Sequence, residues 1–213
     1  MLSLKPILLA LASVCGLGLL AEPADRAVPA DAARFEPTAL NACVRDGEVI
    51  GREQHRRVFM NVEGRRLMLV APQGFRVILA SPDKVVLVNR DCSCILSFRI
   101  AAAGSIAAAS LNADLCRAWL TAWPGDLKIQ EEFSLTAANQ SGPAFEVSFC
   151  ADGLFRTSQV AFIPSPVGVL EFKLISSPEK FQAAKAEFHG LLLGFRISDA
   201  NGKLEILPVL SES

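Results

Sequence analysis

The sequence predicts an α+β domain in which an antiparallel β-sheet is covered by α-helices. Two observations predict it. Runs of period-two apolar alternation follow one another, separated by short turn signals, as in consecutive hairpins. Two further segments carry apolar residues at helical spacing, so each has a face to bury against a sheet.

The chain opens with Met1 and Leu2 and a single basic residue, Lys5, and an apolar or small-residue run follows from Pro6 to Leu20, ending at Ala21 before Glu22-Pro23. That is the order of a cleavable secretory signal over residues 1–21, and it places the protein outside the cytoplasm, periplasmic or secreted. The run is shorter than the roughly 20 residues a spanning helix needs, and no second long apolar segment exists, so no membrane span is expected after cleavage. Cys15 follows Val14 rather than a small residue, and the apolar run continues beyond it, which speaks against lipid attachment at that thiol.

Removing the signal leaves about 190 residues, enough for one domain with a real core. Residues 22–42 are Ala-rich with Pro23, Pro29 and Pro37, lack periodicity of either kind, and read as a flexible leader. The folded unit is expected over 43–198, with a C-terminal tail over 199–213. A net charge of -1 gives no global argument for nucleic acid or an anionic membrane.

Val58, Met60, Leu67 and Leu69 fall on one face if Glu63-Gly64 makes a two-residue turn. Pro72-Gln73-Gly74 turns the chain into a strand over 75–80, which Ser81-Pro82-Asp83 ends. Strands over 85–88 and 92–100 follow, the second placing Cys92, Cys94, Leu96, Phe98 and Ile100 on one side. A helix is then read from Leu111, Leu115, Ala118, Trp119 and Ala122, stopped by Pro124-Gly125. Further strands are read over 128–135, 145–150, 155–163 and 167–175, with turns at Asp152-Gly153 and Ser165-Pro166. The last element is a helix capped by Ser177, with Pro178 at its first position and Phe181, Ala184, Phe188, Leu191, Leu192 and Phe195 inward.

This order, with a Trp-bearing helix, a long hairpin ending in Leu170-Glu171-Phe172-Lys173-Leu174 and a closing helix ending in Leu-Leu-Gly-Phe-Arg, resembles a known fold. It is the α/β/α sandwich shared by the photosystem II protein PsbP, the Ran-GTPase release factors and DcrB-like envelope proteins. The resemblance covers roughly residues 55–197. It implies an accessory or scaffold role, binding another protein of the envelope or secreted fraction without turnover. It supplies no short motif from which a functional residue carries over.

Candidate sites follow from residue type. After signal removal the cysteines are Cys43, Cys92, Cys94, Cys116 and Cys150, an odd set where disulfides persist. Two thiols at i and i+2 of a strand point one way, so Cys92 and Cys94 could serve a metal-binding or redox role. The second pair of a structural zinc site is missing, and disulfides or buried thiols are the simpler reading. Because the first helix packs on the strand holding Cys92 and Cys94, Cys116 is expected to pair with one of them.

Arg52, Arg56, Arg57, Arg65 and Arg66 are expected to converge on the first hairpin as a patch for carboxylates or phosphates, or as a solvated edge that blocks strand pairing. No aromatic interleaving suits nucleic acid. His55 and His189 have no partners that certify a triad. Gly-rich phosphate loops, His-Glu-x-x-His and Gly-x-Ser-x-Gly are absent, and no catalytic residue, metal or cofactor is assigned. Asn139-Gln140-Ser141 fits a glycosylation sequon. The reading is an exported, non-enzymatic accessory or binding protein, with a thiol-based metal or redox protein as the alternative.

Overall fold

The computed structural model describes residues 35–50, 53–102, 111–123 and 126–198. The expected signal and tail, Cys15 and Arg52 lie outside the described residues.

The hairpins form where the turn chemistry places them. β2 (Glu53–Val62) and β3 (Arg65–Val70) pair with Val58 opposite Leu69 and Met60 opposite Leu67, all four fully buried. Glu63 and Gly64 between them both have positive φ, 49° and 75°, the geometry of a type I′ turn whose twist matches the strands. The same geometry recurs at Asp152-Gly153, between β8 (Gln140–Ala151) and β9 (Leu154–Ser165). It recurs again at Ala138-Asn139, between β7 (Lys128–Ala137) and β8, where neither residue is glycine. There the sequon's Asn139 is an exposed turn residue.

Two sheets result. The larger has seven strands in the order β4 (Arg76–Ser81), β5 (Lys84–Val88), β6 (Cys94–Ala102), β10 (Gly168–Ser176), β9, β8, β7, every pair antiparallel. The smaller has four, in the order β1 (Cys43–Ile50), β2, β3, β11 (Arg196–Ser198). The antiparallel α+β class is as expected, but helices alone do not make the cover. One face of the large sheet shares its core with both the small sheet and the closing helix α2 (Phe181–Gly194): Leu96, Phe98 and Phe172 pack with Met60, Leu67, Phe188 and Phe195. The helix α1 (Ala113–Thr121) packs on the opposite face with Phe145, Val147, Val160 and Phe162. At about 1.5–3 kcal/mol per fully buried large apolar side chain, these two cores dominate the gain on folding.

Both helices differ in detail from the sequence reading. Of the Leu111, Leu115, Ala118, Trp119 and Ala122 line, Trp119 is buried and Leu111 and Leu115 pack half-buried on the same core; Ala122 is exposed, and Cys116 and Leu120, outside that line, are buried. It starts where the Asn112 side chain accepts from the Leu115 N–H. Ser177 precedes a 3-10 turn, Pro178–Lys180, and gives no side-chain cap; the inward residues of α2 are those expected.

The chain joins the fold earlier than Cys43. Thr38 donates to Ile100 O, Leu40 donates to Pro82 O, and Leu40 O accepts from Asn61 N–H, so this strap ties the two sheets together. Leu40 is fully buried, and Phe35 packs edge-on to Trp119 at 5.2 Å. The eight residues 35–42 thus belong to the domain rather than to a leader.

Candidate functional site: the outer face of the small sheet

Cys92 is not in β6. It sits in a turn at φ 57°, fixed because Asp91 accepts from Ser93 N and Oγ while Asn89 Oδ1 accepts from Cys94 N. The period-two line therefore ends at Cys94. Cys94 lies in the core between the sheets and Cys116 in the core under α1, so they stand on opposite faces of the large sheet, and the expected pairing of Cys116 is not made. All five described cysteines are free thiols. Burial pushes both Cys94 and Cys116 up to about 12, which holds them protonated at neutral pH, unlike a thiolate ligand or nucleophile. Cys43 and Cys150 are exposed. Among the described residues, no group of three or more His, Cys, Asp and Glu comes together in a way that could hold a metal ion.

The arginines do not converge as expected. Arg65 and Arg66 stand beside the Glu63-Gly64 turn, opposite Val62 and Asn61, whereas Arg57 lies opposite Val70 at the far end of the ladder. At roughly 3.4 Å per residue, Asn61 and Arg57 are about 14 Å apart. Arg56 points to the other side and faces Asp46, 3.6 Å away.

The register assembles a different set. Since Val58 and Met60 face the core, Arg57, Phe59 and Asn61 face outward. Arg45 on β1 is opposite Arg57, Met68 on β3 is opposite Phe59, Arg66 is opposite Asn61, and Arg196 on β11 is opposite Met68. The outer face thus carries Arg45, Arg57, Arg66 and Arg196 around a half-buried Phe59–Met68 floor. Among residues 43–46, 57–62, 65–70 and 196–198 this face carries no lysine and no carboxylate; Glu53, at the far end of β2, holds a position of the same parity as Arg57. The Arg45 guanidinium lies 5.6 Å from the Phe59 ring centre, and Arg196 donates to the carbonyls of Leu193 and Phe195 at the end of α2. Leu193 stands 71% exposed at that corner, and Cys43 lies opposite Phe59. Arg45 and Arg196 lie on β1 and β11, which alternation in the sequence does not mark as strands. A pattern search of basic residues at alternate positions could have found only the β2–β3 members.

A second charged group is buried under the α1 side of the large sheet. Arg99 and Glu171, opposite one another on β6 and β10, form a two-bonded fork at 3.0 and 2.7 Å, and Lys173 Nζ lies 3.7 Å from Glu171. Lys173 also sits 3.5 Å from the Trp123 ring centre, and Arg99 4.9 Å from that of Phe35. Burial pushes the Lys173 amine down to about 7, against the pull of Glu171. For Glu171 burial raises the carboxyl, but Lys173 and Arg99 outweigh it and the net direction is down. The carboxylate is satisfied by its fork and its neighbouring amine, which is the arrangement of a structural ion cluster. His189 bonds to the buried Gln159 across 3.1 Å, and Lys185 pairs with Glu146 at 2.7 Å, so both tie α2 to the sheet.

No family model matches this sequence, and no curated protein does. Several solved structures are similar in fold. The cyanobacterial PsbP, CyanoP, of Synechocystis sp. PCC 6803 aligns over 76% of this chain and 95% of its own, at 12% identity and a TM-score of 0.48. The protein PA94 of Pseudomonas aeruginosa aligns over 63% and 95%, at 15% identity and a TM-score of 0.39. LpqN of Mycobacterium tuberculosis, described as involved in cell envelope biogenesis, aligns over 73% and 91%, at 16% identity and a TM-score of 0.41. All three TM-scores lie below 0.5 and all three identities below 25%, so nothing of these proteins is carried over to this chain here.

Proposed function

We propose that this chain is an exported, non-enzymatic accessory protein of the cell envelope that binds an anionic partner through the outer face of the small sheet. One observation carries the reading: Arg45, Arg57, Arg66 and Arg196 share a face with Phe59 and Met68 although the whole chain has a net charge of -1. An even spread of charge would place acids among them. Their segregation concentrates positive potential on one side. Arg, Met and aromatic side chains with few Lys, Asp or Glu are also the composition of the core of a protein-binding surface.

Cation-exchange retention at pH 7.5 tests the face. A protein with a sequence pI near 6.2 and evenly spread charge should pass through such a resin. Retention that falls in Arg45→Gln and Arg57→Gln supports the reading. Flow-through of the unaltered protein defeats it.

A further inference from the structure

We infer that the outer face of the small sheet takes an acidic, partly apolar segment of a partner protein, with carboxylates seated between Arg45 and Arg57. The inference rests on the binding role proposed above and adds the chemistry of the partner.

The first ground is the ladder between β1 and β2. On its inner side Arg56 is opposite Asp46, an ordinary cross-strand ion pair; on its outer side, one residue along, Arg45 is opposite Arg57. Like charges directly opposite destabilise a ladder, so the outer pair opposes folding where its neighbour favours it. A carboxylate placed between the two guanidiniums turns that repulsion into two charge-assisted forks. The chain itself supplies such an acid on the inner side. On the outer side none stands among residues 43–45 and 57–61, around the arginine pair.

The second ground is relief. Phe59 and Met68, directly opposite one another, are half-buried, whereas Arg45, Arg66 and Arg196 are exposed around them. The face therefore has an apolar floor and a cationic rim. A bilayer needs the reverse, apolar side chains that protrude past the cations into the acyl region, and the single exposed Leu193 at the corner falls short of that. A protein segment alternating acidic and apolar side chains fits floor and rim together, with carboxylates on the arginines and an apolar side chain over Phe59 and Met68.

The test uses the full mature chain and three defined probes at low salt. They are a fluorescent peptide alternating Glu and Leu, its Lys/Leu counterpart, and vesicles of phosphatidylglycerol with phosphatidylcholine. The Glu/Leu peptide should bind and the Lys/Leu peptide should not. Arg45→Gln or Arg57→Gln should each weaken binding by about tenfold or more, as truncating one partner of a desolvated charge pair does. Thermal unfolding supplies the readout that a structural role would not give: Arg45→Gln should keep or raise Tm, because it removes the cross-strand repulsion. Loss of peptide binding together with a lowered Tm would make Arg45 a structural residue and overturn the inference. Vesicle binding without peptide binding would overturn the acidic-segment inference while leaving an anion-binding face intact. Failure of both probes, with flow-through on the exchanger, would remove the binding reading as well.

Discussion

Replacing Glu171 with Gln keeps the shape of the side chain and removes its charge, which leaves Arg99 and Lys173 facing one another in a dry site. The side chains of Glu171, Arg99 and Lys173 are 3%, 15% and 12% exposed, so water screens them little. Removing one partner of a buried charge cluster costs about 3–5 kcal/mol, because the remaining charges stay desolvated. For a domain of this size each kcal/mol lowers Tm by roughly 2–4 °C, so Glu171→Gln should melt about 6–20 °C below the wild type. Adding Lys173→Met removes a buried amine that has lost its partner and should recover part of that loss. Circular dichroism during heating, checked against urea unfolding at fixed m-value, measures both. The pH dependence is a second arm. The folded Lys173 has its pKa pushed down to about 7 from 10.5, so between those values the unfolded chain holds a proton that the folded chain has shed. Unfolding free energy from this group therefore rises with pH across that window, and Lys173→Met should flatten the rise. Glu171, whose pKa is depressed, acts in the opposite range: its stabilisation is present above pH 4.5 and is lost as the solution is acidified. A cost below about 1 kcal/mol for Glu171→Gln, or an unchanged slope in Lys173→Met, would refute the view of a tightly coupled buried cluster.

Other substitutions test single features. Gly142→Ala would drive a Cβ into the Phe162 carbonyl oxygen of the neighbouring strand, so it should cost about 3 kcal/mol or prevent folding, read by expression and unfolding. Ala138→Gly should raise stability by about 1 kcal/mol, since Ala138 is held at φ 49° where a Cβ is strained; a loss would show that the turn is packed rather than strained. Thiol titration of the reduced native protein should label Cys43 and Cys150 quickly, and Cys94 and Cys116 only on unfolding.

What periodicity reveals is which residues share a face, and this was enough for the Val58–Met60–Leu67–Leu69 side of the first hairpin, the inward line of α2 and most strands of the large sheet. It does not reveal which elements meet. β1 carries Asp46-Gly47-Glu48 and a bulge between Asp46 and Val49, which breaks the alternation a reader would look for. β11 is three residues long. Without those two strands the second sheet is invisible, and with it the arginine face. Cys94 reads correctly as an apolar-side residue while Cys116 falls outside the helix line, and alternation is blind to which side of the sheet receives a helix. In Leu170-Glu171-Phe172-Lys173-Leu174 the charged positions look solvent-facing. Only the register that sets Arg99 against Glu171, and the Phe35 and Trp123 rings lying on Arg99 and Lys173, make them interior.

The pairing of β11 with β3 also constrains how the molecule can assemble. Arg196 meets Met68 across most of the length of the domain, a contact of high sequence separation that is slow to find because the intervening chain must close as one large loop. A chain emerging from its N-terminus can complete the β2–β3 ribbon early, yet the free edge of β3 waits for the last residues of the domain. Until then it is an unpaired template for another copy. A protein shortened before Arg196 would keep most of its core and still leave that edge open, so aggregation on truncation should precede any loss of secondary structure.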